Sequence, residues 1–247
     1  MKALLADIAE KKDQLDRMRP LAAGALAQLQ MYYDVELTYT SNAIEGNTLT
    51  HRETAEVIEH GITVGGKPLK DHLEAVDHYG AVQWMRGLAE AAVPIVEDTV
   101  RGLHARIVAR SRPDIAGQYS TFARRIAGSS VVFPNPVKIP SLMEQFGRDL
   151  TLADRTASAA FDAHFRLTAI HPFGDGNGRT ARLLMNLMLI RCGYPPVAVR
   201  LVDRKLYLEA LEHGSVSSDL QPFQRLMHVR LDETLAEYLS ALQQSGL

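Results

Sequence analysis

Between His171 and Arg182 the chain reads HPFGDGNGRTAR. One imidazole, one carboxylate, three glycines, an asparagine and two guanidinium groups fall within these twelve residues. Gly176 and Gly178 flank Asn177 immediately before a helical pattern. A tight turn that runs straight into a helix leaves several backbone N–H groups unpaired at one point, and the helix dipole adds positive potential there. Such a turn is an anion cradle. The glycines permit close approach or positive φ, and Asn177 is a residue that tolerates the left-handed region. Arg179 and Arg182 are three apart, with no acid between them, so both forks are expected at the same end of the cradle, where phosphate oxygens suit them.

Asp175 places a carboxylate next to that site. One carboxylate is a poor metal site alone, but a good one for a divalent cation when phosphates supply the other ligands. His171 titrates near neutrality and can take the proton of an incoming hydroxyl. With a nucleotide in the cradle, the chemistry is attack of a hydroxyl on phosphorus. Taken singly, each part is ordinary: DGNG is a good β-turn, and a helix-start turn with a surface arginine pair is the competing reading. Their coincidence within one short segment favours the phosphate site.

Helices must position these residues. Apolar spacing predicts helices over Lys2–Arg19, Leu21–Ala43, Lys70–Glu90, Ile95–Ala109, Leu142–Leu150, Arg155–Ile170, Gly178–Arg191, Arg204–His213 and Leu220–Leu242. A short helix after Thr50 carries a capping-box pattern with Glu53 and closes at Gly61. From Arg112 to Pro140 the helical pattern breaks, and two β-capable runs, Thr121–Ile126 and Ser130–Phe133, flank AGSS as a small exposed hairpin. The expected class is all-α, a helical bundle with one β-hairpin flap near the active site.

Composition restricts the function further. Of 247 residues 46% are hydrophobic and 23% charged, as in an ordinary globular protein. A net charge of −2 gives no reason to expect a nucleic-acid partner, and no strong basic face stands out. The single cysteine, Cys192, cannot form an intramolecular disulfide, which suits a reducing compartment. The charged N-terminus has no signal-peptide pattern and no apolar run spans a bilayer, so a cytoplasmic chain without a membrane partner is expected.

HPFGDGNGRTAR matches in full the signature HPFx[DE]GNGRxxR, and on it the chain resembles the Fic (Fic/Doc) family. SNAIEGNTLT, AGQYS, TARLLMNLMLIRCGYPPVAVR and DRKLYLEAL extend the resemblance over Leu29 to Tyr238. Within the family the chain is most similar to bacterial members with an N-terminal regulatory helix and to the catalytic core of the animal member that modifies an endoplasmic-reticulum chaperone. The resemblance implies the Fic fold and transfer of AMP from ATP to a Ser, Thr or Tyr hydroxyl of a protein. It implies His171 as general base, Asp175 as the Mg²⁺ ligand, and Gly176, Asn177 and Gly178 around the α-phosphate. Arg179 would contact the phosphates and Arg182 would hold the γ-phosphate, with Phe173 anchoring the loop. The division it suggests is 1–60 as N-terminal helices with the inhibitory motif, 61–215 as the catalytic domain, and 216–247 as a C-terminal helix on the same core. Self-modification and a homodimer are both compatible with it.

SNAIEG, from Ser41 to Gly46, resembles the family's inhibitory motif [S/T]xxxE[G/N]. The resemblance implies that Glu45 pairs with Arg182 and keeps ATP from binding productively, with Ser41 and Gly46 shaping the turn. A carboxylate in that fork removes the γ-phosphate clamp and adds like charge. The plainer reading is that Glu45 and Gly46 only end a helix. The same glutamate could instead align a water that removes AMP. Transfer of another phosphate-containing group, or a non-catalytic nucleotide-responsive regulatory role, are the other readings.

In the family the flap holds an extended target by strand addition, which implies contacts from Thr121, Phe122, Ala123, Val131 and Val132. Ser120 departs from the arginine that many relatives have there, with Arg124 and Arg125 further along. Among the remaining features, GITVGGK at Gly61–Lys67 mimics a Walker A loop, but Pro68 stands where Ser or Thr is needed. His164, Cys192, Trp84 and the Leu183–Met188 stripe read as core or structural residues.

Overall fold

The computed structural model describes residues 1–21, 23–91, 93–125 and 128–244. Ten α-helices are described: α1 Lys2–Arg17, α2 Ala23–Ile44, α3 His51–His60, α4 Leu69–Ala91, α5 Glu97–Ile107, α6 Ile139–Leu152, α7 Ala157–Ile170, α8 Asn177–Arg191, α9 Arg204–Ser217 and α10 Gln221–Gln244. Helix α8 is buried on nearly all sides, including Arg179, Arg182 and Asn186 as well as its leucines. A helix buried all round belongs at the centre of a bundle, its polar groups paired there with neighbouring helices. Accordingly α8 packs against α7, α4, α5 and α2, while α1 lies along α10.

Local signals set most helix ends. Thr50 Oγ1 accepts the Glu53 N–H at 3.2 Å, the Glu53 carboxylate accepts the Thr50 N–H at 2.7 Å, and Gly61 closes α3 with φ 66°. Helix α6 starts at Ile139, earlier than Leu142, because Pro140 is tolerated in a first turn, where its missing N–H costs nothing. The expected helix from Leu21 includes Ala22, and the C-terminal segment includes residues 245–247; both lie outside the described residues.

The expected hairpin is not seen among the described residues. No ladder joins 121–125 to 128–133 among the described residues; Ile126 and Ala127, from the first expected strand and the turn, lie outside them. The backbone finds other partners. Ser120 N–H donates to Pro172 O at 2.8 Å and Tyr119 bridges Phe173, so this stretch pairs with the active loop. Ser130 N–H donates to Glu212 on α9 at 2.9 Å. An isolated two-stranded hairpin is marginal in water, and these tertiary acceptors replace its ladder.

The Walker-like segment is also spent on structure. Lys67 hydrogen-bonds Thr48 O and lies 3.3 Å from Glu53, pinning the loop after α2. Trp84 packs under Arg106, 3.8 Å from ring centroid to guanidinium, and His164 is fully buried. No helix among the described residues is long and apolar enough to cross a membrane.

Phe223 of α10 is fully buried and stacks on His164 with centroids 5.2 Å apart. Phe223→Ala should cost about 3–5 kcal/mol of stability, read as a lowered urea midpoint with unchanged slope.

Candidate active site

The loop from His171 to Gly176 is shaped at both ends by left-handed residues. His171 closes α7 with φ 51° and ψ 54°, a conformation that non-glycine residues seldom adopt, and its N–H donates to Leu167 O at 3.0 Å. Ending the helix this way turns the imidazole out of the α7 surface, where Phe133 stacks on it at 4.0 Å. Gly176 supplies the second left-handed residue, with φ 74°, directly before α8. Asn177 was expected as a left-handed candidate but is the first helical residue, because Gly176 already makes the turn.

The loop is held from inside. Asn177 Nδ2 donates to Phe173 O and Asn177 Oδ1 accepts the Phe173 N–H, both at 2.9 Å. Its side chain is therefore consumed in fixing the loop, and only its backbone N–H remains to face a ligand. Phe173 is fully buried and stacks face to face on His104 at 3.7 Å. His104 donates from Nε2 to Asp175 O at 3.0 Å and accepts the Gly117 N–H at Nδ1 at 3.0 Å, which sets its tautomer. Burial pushes its pKa down to about 4, so it stays neutral. Nothing in sequence spacing pointed to His104, which lies 71 residues before Asp175.

The start of α8 carries the N–H groups expected to form the cradle. No acceptor among the described residues takes the N–H groups of Asn177, Gly178 and Arg179. The Glu45 carboxylate lies over this point: a Cβ on Gly178 would stand 2.5 Å from Glu45 Oε1 and 3.1 Å from Arg182 Nη1. Gly178 is glycine for close approach rather than for positive φ. Glu45 reaches it from the turn that ends α2, where Gly46 has φ 96°. Ending the helix and presenting a carboxylate are here one arrangement.

Arg182 is buried and surrounded. Nη2 donates to Glu45 Oε1 at 2.8 Å and to Ser41 O at 2.9 Å, Nε donates to Ser41 Oγ at 2.9 Å, and Nη1 donates to Tyr207 OH at 3.3 Å. Tyr207 in turn bonds His164 Nε2 at 2.9 Å. Burial lowers the pKa of His164 to about 3, which leaves that nitrogen free to accept from the phenol.

Arg179 points elsewhere, which corrects the expectation that both guanidinium groups share one end of the cradle. It is buried 3.3 Å from Glu74 of α4 and 3.4 Å from Asp175. Glu74 also accepts from Asn47 Nδ2 at 3.1 Å, joining this arginine to the loop after α2. Glu74 was invisible in the motif because it comes from α4, whereas Asp175 lies within the motif itself. Burial raises the pKa of Asp175, but Arg179 and the Gly176 N–H outweigh it, so its carboxyl titrates below its ordinary range.

An open cleft of about 290 Å³ brings Glu45, His171, Gly178 and Arg182 together with Phe133, Val131 and Tyr207. Asp175, Gly176, Asn177, Arg179, Ser41 and Gly46 do not line it: they sit around the loop or behind it. Of the flap residues, Val131 lines the cleft, whereas Phe122 and Val132 are exposed beside it. His171 has a lowered pKa, chiefly through burial, opposed by a hydrogen bond to the Thr168 backbone and by Glu45. A neutral imidazole with one nitrogen tied to a backbone carbonyl has a lone pair on the other. The cleft thus sets a proton acceptor beside a helix end with unpaired N–H groups and a guanidinium fork.

Such an arrangement within a bundle around one buried helix is the fold of Fic proteins. A Fic domain-containing signaling protein from Bacteroides thetaiotaomicron superposes with a TM-score of 0.89 at 26% identity, covering 96% of this chain and 97% of the other. A Fic-1 fragment from Caenorhabditis elegans gives 0.88 at 27%, covering 99% and 73%. Residues 94–189 match the family model described as Fic/DOC family, and the chain belongs to that family. It is 34% identical over 245 residues to "Protein adenylyltransferase Fic" of Nematostella vectensis, 96% of this chain and 56% of that protein. It is 28% identical to "Protein adenylyltransferase fic-1" of C. elegans, 98% and 48%. The chain thus spans about half the length of the curated relatives it matches.

Two outcomes follow from this geometry. Glu74→Ala leaves buried Arg179 with only the half-exposed Asp175 and should cost about 3–5 kcal/mol, while Glu74→Gln should cost less; chemical denaturation distinguishes them. His104 and His164 bind fewer protons folded than unfolded, so their contribution is present above pH 6.5 and is lost on acidification. Urea unfolding should lose about 1.4 kcal/mol per pH unit for each histidine between pH 6.5 and about 4, and His104→Phe should make the slope shallower.

Proposed function

We propose that this chain transfers AMP from ATP to a Ser, Thr or Tyr hydroxyl of a protein. The observation that carries this reading is the neutral His171 imidazole sharing one cleft with the N-terminus of α8 at Gly178 and with the Arg182 fork. In the reaction the hydroxyl oxygen bonds to the α-phosphorus, the bond to the bridging oxygen breaks, and pyrophosphate leaves. His171 receives the hydroxyl proton. The free N–H groups of Asn177, Gly178 and Arg179 receive the growing negative charge on the α-phosphate. Arg182 clamps the γ-phosphate once Glu45 has left, and Arg179 adds positive potential from behind the loop.

The donor set at Asp175 fits Mg²⁺ held jointly with phosphates. One Asp175 oxygen is occupied by the Gly176 N–H at 2.6 Å and by Arg179, the other is free, and the side chain is 40% exposed. The described residues contain no cluster of three metal-ligating side chains, so nucleotide oxygens would complete the shell. Bound there, the ion would neutralise phosphate charge.

Glu45 is an intramolecular inhibitor in this reading, occupying both the helix end and the Arg182 fork that ATP phosphates need. Residues 1–60 then form the regulatory part, 61–215 the catalytic domain, and 216–247 the helix that closes the core. The flap segment, with Val131 at the cleft and Phe122 and Val132 exposed, supports binding of an extended target by strand addition, in trans or on the chain itself. The free thiol of Cys192 and the need for ATP suit the cytoplasm. One observation favours a second direction: Glu45 lines the same cleft as His171, and only its Oε1 accepts a hydrogen bond among the described residues, so the same carboxylate can orient a water that removes AMP.

Labelling with α-³²P-ATP tests the reading. Glu45→Gly should raise protein labelling by about ten- to a hundredfold, the worth of a charge-assisted hydrogen bond. Adding His171→Ala to it should lower labelling by about 10²–10⁴-fold. Equal rates for wild type and Glu45→Gly would end the inhibitory role. ATP binding without label in either would favour a regulatory binding protein, and release of AMP from a modified target by wild type alone would favour removal.

A further inference from the structure

We infer that the flap face selects target segments rich in Asp and Glu, with Arg125 as the residue that reads their charge. This deepens the proposed function, since it takes the flap as the surface on which a target lies. Acids outnumber bases 29 to 27 in the chain, yet no Asp or Glu occurs between Asp114 and Glu144. Arg124, Arg125 and Lys138 all fall in that stretch.

Their surroundings leave the positive charge available. Some exposed arginines elsewhere pair with carboxylates, as in Arg112–Asp114, Arg148–Glu144 and Arg200–Glu237, whereas Arg17, Arg52, Arg155 and Arg225 do not among the described residues. What sets the flap apart is that its cations lie in a stretch without acids. Arg125 is exposed and has no hydrogen-bond or ionic partner among the described residues, and neither has the Lys138 ammonium. Arg124 donates only to the neutral Ser120 hydroxyl, at 3.3 Å. Its guanidinium lies over the active loop, 3.0 Å from where a Gly174 Cβ would be. Cations therefore run from the loop beside the base outward along the flap. Glu212, the acid that touches this segment, is occupied by Ser129 Oγ, Ser130 N–H and Ser130 Oγ.

Apolar groups accompany these charges. Phe122 is 74% exposed, Val132 73% and Val137 87%. An extended peptide alternates its side chains across such a surface, so apolar residues can pack on Phe122 and Val132 while acidic ones meet Arg125. Exposed charges of this kind set partner choice and association rate, and they weaken with salt.

Fluorescence anisotropy with the full chain tests this without requiring transfer. Three labelled ten-residue peptides share a central Val-Thr-Val and carry flanks of Glu, Gln or Lys. At low salt the Glu peptide should bind on the order of five- to tenfold tighter than the Gln peptide, with the Lys peptide weakest. The gap should close in high salt, and Arg125→Glu should reverse the order while leaving the thermal midpoint unchanged. Equal affinities for the Glu and Gln peptides, an order that survives Arg125→Glu, or tighter binding of a thymidylate ten-mer than of the Glu peptide would overturn the inference. If the Glu peptide binds with the expected order but is never labelled from ATP, the transfer reaction falls and the charge selection stands.

Discussion

A guanidinium buried at the centre of a helical bundle must always have acceptors, because an unpaired charge there costs several kcal/mol. Arg182 is that group. Its position on α8 is surrounded by Ser41 and Glu45 from the end of α2 and by Tyr207 from α9, so one side chain joins three helices distant in sequence. Ser41 and Tyr207 satisfy the inner donors permanently. Glu45 satisfies the outermost, is partly exposed, and is the one partner that an anionic ligand can replace. Under the proposed function, a phosphate of ATP would compete with this carboxylate for the same donors.

A second constraint keeps the competing site rigid. The loop between α7 and α8 cannot use regular secondary structure, so its polar groups are paired one at a time. Asn177 grips Phe173, His104 grips Asp175 and Gly117, and Phe173 fills the space beneath. Each contact holds the free N–H groups at the start of α8 in a fixed direction, which is what stabilising charge at that point requires. The neutral state of His104 and His164 belongs to the same design, since a protonated imidazole would lose the acceptor that Gly117 or Tyr207 needs.

Several elements were legible from local pattern because they are decided locally. The capping box at Thr50 and Glu53, the stop at Gly61 and the buried stripe of α8 depend on residues within a few positions of one another. The hairpin expected at 121–133 was less legible for the complementary reason: β-capable residues pair with whatever backbone or carboxylate the fold supplies. Here Glu212, Pro172 and Phe173 supplied it.

The phosphate-binding chemistry proposed for His171 to Arg182 was legible from covalent spacing, since the turn, the glycines and the helix start are contiguous. What each guanidinium pairs with does not follow from spacing. Arg179 and Arg182, three residues apart, leave α8 in different directions and meet Glu74 and Glu45, acids delivered by helices more than a hundred residues away. His104 and Tyr207 joined the site in the same way. Burial and charge neutralisation act through space, so these partners become visible only when the helices that carry them have packed.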